Sequence, residues 1–258
     1  MFIIYFGVAL LSTIAGSMAG LGGGVIIKPV LDFLGDYNIS TIGLLSSFTV
    51  FSMAFVSIIK QIMYKSKIDI KNTGALAIGS VLGGLIGQYW LTVVLNNVSS
   101  NIVSVVQSSI LALLLTFVYI YMNNKGRFKS YNVDNFLFSI ILGLILGFIA
   151  AFLGIGGGPI NVAFLTIFFS MEAKNAARDS VIIILFSQGS KILSVALGSG
   201  FASYDLSMLG YMVIGGILGG LIGSKFNRKF SNEVIIKVFN TVVAMIIALN
   251  IYNIITVL

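Results

Sequence analysis

Hydrophobic residues run along this chain in long stretches, without the regular alternation with polar residues that marks water-facing helices and strands. A helix needs about 20 predominantly apolar residues to cross the hydrocarbon core of a bilayer. Eight stretches come close to or exceed that length: 2–20, 40–62, 73–95, 101–122, 136–153, 178–198, 206–224 and 234–257. The pattern predicts an all-α integral membrane protein with about eight long membrane helices.

Two shorter apolar stretches, 25–34 and 159–171, each follow a run of glycines, GLGGG at 20–24 and GIGGG at 154–158. Segments of this length are more often re-entrant or half-helical than spanning. A break at membrane depth is tolerated only where it is buried in protein or lines a cavity. We therefore expect two short helices that begin after glycine-rich breaks.

The chain also repeats itself. The glycine run at 20–24 returns at 154–158, and AIGSVLGGLIGQYW at 77–90 returns with nearly the same displacement as VIGGILGGLIGSKF at 213–226. The spacing predicts a first transmembrane repeat over 1–122, a linker over 123–135 and a second transmembrane repeat over 136–258. In membrane proteins such a repeat is typical of transporters with a pseudo-twofold axis.

Composition supports a membrane protein and narrows its chemistry. Only 9% of the residues are charged and 58% are hydrophobic, whereas soluble domains carry about 25% charged residues. Cysteine and histidine are both absent, so we expect no disulfide, metal site or cofactor. The first apolar stretch has no basic leading region, which favours a retained span over a cleaved signal peptide.

Basic residues are distributed unevenly among the loops. We assume that each short stretch after a glycine run returns the chain to the side where the preceding span began. The loops 35–40, 95–101 and 198–205 then lie on one side and contain no lysine or arginine, whereas the loops on the other side contain eleven. The eleven are Lys65, Lys67, Lys71, Lys125, Arg127, Lys129, Lys174, Arg178, Lys225, Arg228 and Lys229. Because positive loops stay in the cytoplasm, we expect a cell-membrane protein with basic loops inside, both termini outside and inverted repeats. The net charge of +7 then reflects topology and not nucleic-acid binding.

The glycine runs have two interpretations. Small residues often let membrane helices approach closely, and we assign GGLIG at 83–87 and 219–223 to such packing. Broken helices at matching positions of two repeats, however, indicate a transporter site. Consecutive glycines let backbone N–H groups converge on an anion, and a helix amino terminus adds partial positive charge. We therefore predict that the substrate site includes Gly22, Gly23, Gly24, Gly156, Gly157 and Gly158.

These motifs resemble those of the TauE/SafE family, the sulfite exporter or TSUP group. One G-x-G-G-G motif in each half, Pro29 five positions past the first, small polar residues at Ser46-Ser47 and Ser180, and a glycine-rich helix late in each half match its pattern over essentially the whole chain. The second half departs from it, with Ala163 where proline is expected and Arg178-Asp179 before the serine. The resemblance implies transport of sulfite, sulfoacetate or other sulfur-containing anions.

Charged side chains within membrane segments are candidates for function because they are expensive there. Lys191 lies deep in 178–198 and is the leading cationic ligand, with a structural ion pair as the alternative. Lys28 is either a second ligand or the i+4 partner of Asp32. Asp179 either caps a helix amino terminus or couples protons to transport. Neutral candidates for the substrate site are Ser46, Ser47, Asn161, Ser180 and Gln188.

Three hypotheses remain at this stage. The first is a secondary transporter of small anions that works by alternating access and is coupled to protons or another ion. The second is a passive anion channel of the same architecture. The third, a membrane enzyme or receptor, lacks any catalytic constellation. The expected partners are a small anion and the lipid bilayer but no nucleic acid, and a homodimer is one of the open assembly states.

Overall fold

The computed structural model describes residues 2–66 and 69–257, and over these ranges the protein is built from helices. The ten α-helices are α1 Phe2–Ala19, α2 Gly24–Leu34, α3 Ile39–Met63, α4 Ile70–Asn97, α5 Ser100–Asn123, α6 Phe136–Leu153, α7 Gly158–Phe168, α8 Ala173–Leu197, α9 Leu209–Lys229 and α10 Asn232–Val257. Eight of the described helices are long and apolar enough to cross a membrane, and α2 and α7 are the short ones. The predicted all-α membrane fold is confirmed.

Hydropathy placed the start of α8 too late. The stretch 178–198 predicted a helix from Arg178, but α8 begins at Ala173. The reason is that Lys174, Arg178 and Asp179 lower the local hydropathy although all three lie within the helix.

The two short helices fold back against the helices that precede them. The Tyr5 hydroxyl, near the start of α1, donates a hydrogen bond to Asp36, just past the end of α2. In the second half, Tyr131 N–H, which precedes α6, donates to Ile167 O near the end of α7 at 2.7 Å. Each pair is therefore a hairpin with its glycine loop at the closed end.

The hairpins open on different faces of the molecule. We call the face with loops 35–38 and 198–208 the terminal face, because α1 begins and α10 ends there; Tyr37 and Ser207 join these loops through a 3.1 Å hydrogen bond. The linker face holds segments 64–66, 124–135 and 230–231; Lys71 in α4 pairs with Asp134 at 2.6 Å. The α1–α2 hairpin opens on the terminal face and α6–α7 on the linker face, which is compatible with inverted repeats. Lys67, assigned above to the basic loops, lies outside the described residues.

Helices of the first half pack mainly against helices of the second half. Helix α4 packs along α6 and α1 along α9, while α3 and α8 cross at the centre and α5 packs on α10. Glycines line these seams: a Cβ at Gly83 would overlap the carbonyl oxygen of Leu144, and one at Gly219 would lie 2.8 Å from Leu10 O. This confirms that the glycines at 83–87 and 219–223 serve close helix packing.

Candidate functional site

The two glycine loops meet in the protein interior. A Cβ added to Gly24 would lie 2.6 Å from the carbonyl oxygen of Ile155, and one added to Gly158 would overlap the carbonyl of Leu21. Gly23 and Gly157, the residues before α2 and α7, have φ of 71° and 72°, a left-handed conformation that glycine adopts without strain. The loops interlock because both the conformation and the contact require the absence of a side chain.

Backbone donors at the loops are left without acceptors. Among the described residues, none of the hydrogen bonds uses the N–H groups of Gly23, Gly24, Val25, Gly156, Gly157 or Gly158, and all six residues are buried. The first N–H groups of a helix have no intrahelical partner, and they carry the positive end of the helix dipole. Buried orphan donors of this kind suit an anion.

Two serines at equivalent repeat positions flank the loops. Ser180 Oγ in α8 donates to Gly20 O at 2.9 Å. Ser46, its counterpart in α3, has its Oγ 3.0 Å from where a Cβ of Gly24 would stand. Ser47 points its hydroxyl to Gly43 O in its own helix at 2.6 Å, the self-satisfying bond that serines often make in helices.

The structure brings the two predicted lysines to the same region but gives them different partners. Lys28 pairs with Asp32 at 2.7 Å, both side chains being at least nine-tenths buried, and its stem passes within 3.6 Å of where a Cβ of Gly154 would stand. Lys191 Nζ donates to Gly43 O at 3.3 Å. Over the described part of the chain, no carboxylate forms a salt bridge with Lys191 Nζ. The alternative of a structural ion pair therefore holds for Lys28 and not for Lys191.

A polar cavity leads from the terminal face to Lys191. It has a volume of about 200 Å³ and lies between α3, α4 and α8. We call it the Lys191 vestibule; its polar lining includes Ser40, Gln88, Thr92, Asn96, Lys191 and Tyr204. Gln88 Oε1 is buried without a hydrogen-bond partner among the described residues, as expected of a group that faces a site and not a packed seam.

The two predicted amides lie near the second loop. Gln188 Nε2 is 3.8 Å from where a Cβ of Gly156 would stand, and Asn161 Oδ1 is 3.4 Å from the corresponding point at Gly157. Asn161 Oδ1 is buried and has no hydrogen-bond partner in the part of the chain that the structure describes. Both amides therefore belong to the cluster around the glycine loops.

Asp179 lies apart from this cluster. Helix α8 begins at Ala173 with Glu172 at its N-cap position, so the interpretation of Asp179 as a helix cap is wrong. Its carboxylate is buried and accepts a 2.7 Å hydrogen bond from Thr73 Oγ1 in α4. The side chain thus joins α8 to α4 and does not face the glycine loops.

The residues of α4 that line the cavity were not among the site residues predicted from the sequence. Gln88, Thr92 and Asn96 recur at every fourth position and so form one polar stripe on an otherwise apolar helix. That spacing could have predicted a polar helix face from the sequence. Gly43, whose carbonyl receives both Ser47 and Lys191, carried no signal, because a backbone acceptor leaves no mark in a sequence.

Comparisons with known proteins give the chain its family. The family described as sulfite exporter TauE/SafE matches residues 5–251. The probable membrane transporter protein YunE of Bacillus subtilis is 29% identical over 209 residues, 72% of this chain and 75% of the relative. The probable membrane transporter protein MJ0441 of Methanocaldococcus jannaschii is 27% identical over 183 residues, 66% of this chain and 63% of the relative. No solved structure matches at a comparable level. The resemblance seen in the glycine motifs is thus confirmed, and this multi-pass membrane protein belongs to the TauE/SafE family of membrane transporters.

Proposed function

We propose that this transporter carries small anions, most simply sulfur-containing ones such as sulfite, sulfonates and sulfoacetate. The observation that carries the proposal is the buried amine of Lys191 at the inner end of a polar vestibule, with no carboxylate partner in the described structure. An uncompensated buried charge costs several kcal/mol. A bound anion would remove that cost.

The glycine loops supply a second group of donors for the same ligand. Their orphan N–H groups lie near Gly154, where the stem of Lys28 passes. A Cβ at Gly154 would also stand 3.7 Å from the Cα of Gly43, whose carbonyl is the partner of Lys191. An oxyanion with several acceptor atoms matches such a set of converging donors. The predicted site residues Lys28, Ser46, Asn161, Ser180 and Gln188 each lie beside a residue of the glycine loops.

Two halves whose helices pack against each other suit alternating access around a central site, and in this proposal the two halves are inverted repeats. In this proposal the linker face is cytoplasmic, the terminal face is outside, and Asp179 takes up the proton that couples transport. Asp179 is suited to this role because it is a buried carboxylate at a contact between the two halves, with a hydroxyl of Thr73 as its hydrogen-bond partner.

The test is a binding panel followed by transport. Purified protein in lipid nanodiscs is titrated calorimetrically with sulfite, sulfoacetate, sulfate, thiosulfate and acetate, and the anion that binds is then used in proteoliposome counterflow. We expect saturable binding of at least one sulfur anion and counterflow without single-channel current. Folded protein that binds none of the five anions overturns the proposal, and a unitary current in a planar bilayer would establish the channel alternative instead.

A further inference from the structure

A second polar pocket lies at the linker face, between α3, α8 and α9. Its lining includes Gln61, Tyr64, Arg178, Ser224, Asn227 and Arg228, and no carboxylate among the described residues. We call it the arginine vestibule. Its volume is about 10 Å³, roughly the space of one water molecule, so it is too small to hold an oxyanion.

The arginine vestibule is the repeat-related copy of the Lys191 vestibule. Helices α3 and α8 have the same length and begin at equivalent repeat positions, Ile39 and Ala173, so Arg178 takes the position of Leu44. The alignment of 77–90 with 213–226, continued along α4 and α9, pairs Ser224 with Gln88 and Asn227 with Leu91.

Two further pairs follow the same alignments. Arg228 corresponds to Thr92, and Gln61 corresponds to Val195. Five residues of each lining are therefore related by the repeat. One sequence thus builds two related cavities on opposite faces, about 200 Å³ and about 10 Å³ in volume.

Side-chain hydrogen bonds join the helices that line the smaller cavity. Arg178 Nε donates to Asn227 Oδ1 at 2.9 Å, and Asn227 Nδ2 donates to Met18 O at 2.7 Å. These bonds connect α8 to α9 and α9 to α1. The Arg228 guanidinium lies 4.6 Å from the centroid of the Tyr64 ring, a cation–π contact that holds α9 to the end of α3.

The open vestibule has no such tie at the corresponding positions. Leu44 and Leu91 replace Arg178 and Asn227, and neither side chain can form a hydrogen bond. The side-chain hydrogen bonds are thus specific to one face.

We propose that the arginine vestibule is a second, anion-selective route to the central site, and that the Arg178–Asn227–Met18 tie is its gate. When the gate opens, the vestibule presents two guanidinium groups and neutral donors, a lining that attracts oxyanions and sulfonates and repels cations. Opening of this vestibule accompanies closing of the Lys191 vestibule, because helices α3 and α8 line both. The proposal rests on the function proposed above and adds its gate and second entry.

Single cysteines can report the gate because the chain has none of its own. Ser224→Cys marks the arginine vestibule and Gln88→Cys marks its counterpart, each with and without Asn227→Ala, in nanodiscs that leave both faces accessible. The probes are two methanethiosulfonate reagents, one bearing a sulfonate and one a trimethylammonium group. We expect Asn227→Ala to raise the rate at which the sulfonate reagent labels Ser224→Cys about tenfold. At this cysteine the sulfonate reagent should react faster than the cationic reagent. At Gln88→Cys, Asn227→Ala should lower the labelling rate.

Lys71→Met is the matched control, since it removes an exposed polar contact of the linker face outside the vestibule, and it should leave all rates unchanged. Tyr64→Leu, which removes only the contact with Arg228, is the second gate variant if Asn227→Ala does not fold. Unchanged Ser224→Cys labelling in a folded gate variant overturns the gate, as does faster labelling at both cysteines. Preference for the cationic reagent overturns the anion selectivity.

Titration of the same nanodiscs with sulfite separates this proposal from the one it rests on. Anion binding with unchanged labelling refutes the gate alone. The other outcome is faster labelling of Ser224→Cys and slower labelling of Gln88→Cys in protein that binds no anion of the panel. That outcome refutes the proposed substrate class and leaves two alternating routes.

Discussion

At the scale of single residues, the two buried lysines differ in how their charge is balanced. Lys28 has a carboxylate 2.7 Å away, whereas Lys191 has only the Gly43 carbonyl at 3.3 Å among its described partners. Removing a charge that has no partner leaves no other charge unpaired. Removing one member of a buried ion pair leaves the other member buried without a partner. The two lysines should therefore respond differently to the same substitution.

Lys191→Met is expected to remain folded and to bind anions about tenfold more weakly or worse. Methionine keeps the apolar stem and deletes the ammonium, and a hydrogen bond to a charged group contributes about 1.5–3 kcal/mol. Calorimetric titration and thermal unfolding of the same preparation measure the two effects. Lys237→Met, which removes an exposed lysine of α10, is the control, and equal affinity of both variants would exclude Lys191 as a ligand.

Lys28→Met is expected to lower the thermal stability strongly, since it leaves Asp32 without its partner. Breaking a buried ion pair costs about 3–5 kcal/mol. The double variant Lys28→Met/Asp32→Asn removes both charges and should recover most of the loss. Thermal unfolding in detergent tests this; a double variant as unstable as the single one would show that the pair is not what stabilises this segment.

The sequence could identify Lys28 and Lys191 because a charge in an apolar run stands out. It could not decide which of them has a charged partner. Asp32 is close to Lys28 in the sequence, but the Gly43 carbonyl is brought to Lys191 only by the fold. The helix-cap interpretation of Asp179 failed for a related reason: the start of α8 lies in a charged stretch that hydropathy does not recognise as helix.

At the scale of elements, glycine serves two purposes that the structure separates. In the loops it permits positive φ and leaves N–H groups unpaired, as at Gly23 and Gly157. In helices it permits close packing, as at Gly83. Substitutions in the two classes should therefore affect different properties.

Gly23→Val and Gly157→Val are each expected to abolish anion binding. A β-branched residue is strained at the positive φ of these two positions and would block the approach to the backbone. Binding is measured by titration of protein that elutes as a single folded species. Gly84→Ala, where the new methyl would meet Ser190 Oγ in the α4–α8 seam, should reduce stability more than affinity. An equal loss of affinity in all three folded variants would place the site elsewhere.

Gly83→Ala is expected to destabilise the protein by about 1–3 kcal/mol, the usual cost of overpacking, with anion affinity unchanged. The added methyl group would overlap the Leu144 carbonyl of α6. Gly74→Ala in the same helix is the control, because its methyl would meet no atom within 4 Å and alanine favours helix by about 1 kcal/mol. Similar unfolding temperatures of the two variants would contradict the assignment of Gly83 to packing.

The short helices were predictable from their length and from the glycines before them. Their interlocking was not, because the contacts of Gly24 with Ile155 and of Gly158 with Leu21 join the first half of the chain to the second. The same holds for the packing of α4 on α6 and of α1 on α9. A repeat in the sequence shows that two halves are alike but leaves open how they dock.

At the scale of the whole molecule, loop charge and hairpin direction support the same topology. The basic loops were assigned to one side from the sequence, and the described members of that set, such as Lys71, Lys125 and Lys174, lie toward the linker face, where Lys125 Nζ donates to Met171 O and Lys174 Nζ to Phe230 O. The terminal-face loops carry no lysine or arginine. Positive loops are retained in the cytoplasm, so the linker face should be the cytoplasmic one.

Cysteine labelling in intact cells tests that orientation. Asn97→Cys and Phe201→Cys lie exposed on the terminal face and Arg127→Cys is exposed on the linker face, so a membrane-impermeant maleimide should label the first two and not the third. Opening the membrane with detergent should make Arg127→Cys reactive, which controls for a buried or unfolded thiol. The cysteine-free parent gives the background. Labelling of Arg127→Cys alone would invert the topology. Labelling of Asn97→Cys and Arg127→Cys from the same side would contradict the odd number of crossings between them, and with it the inverted relation of the two halves.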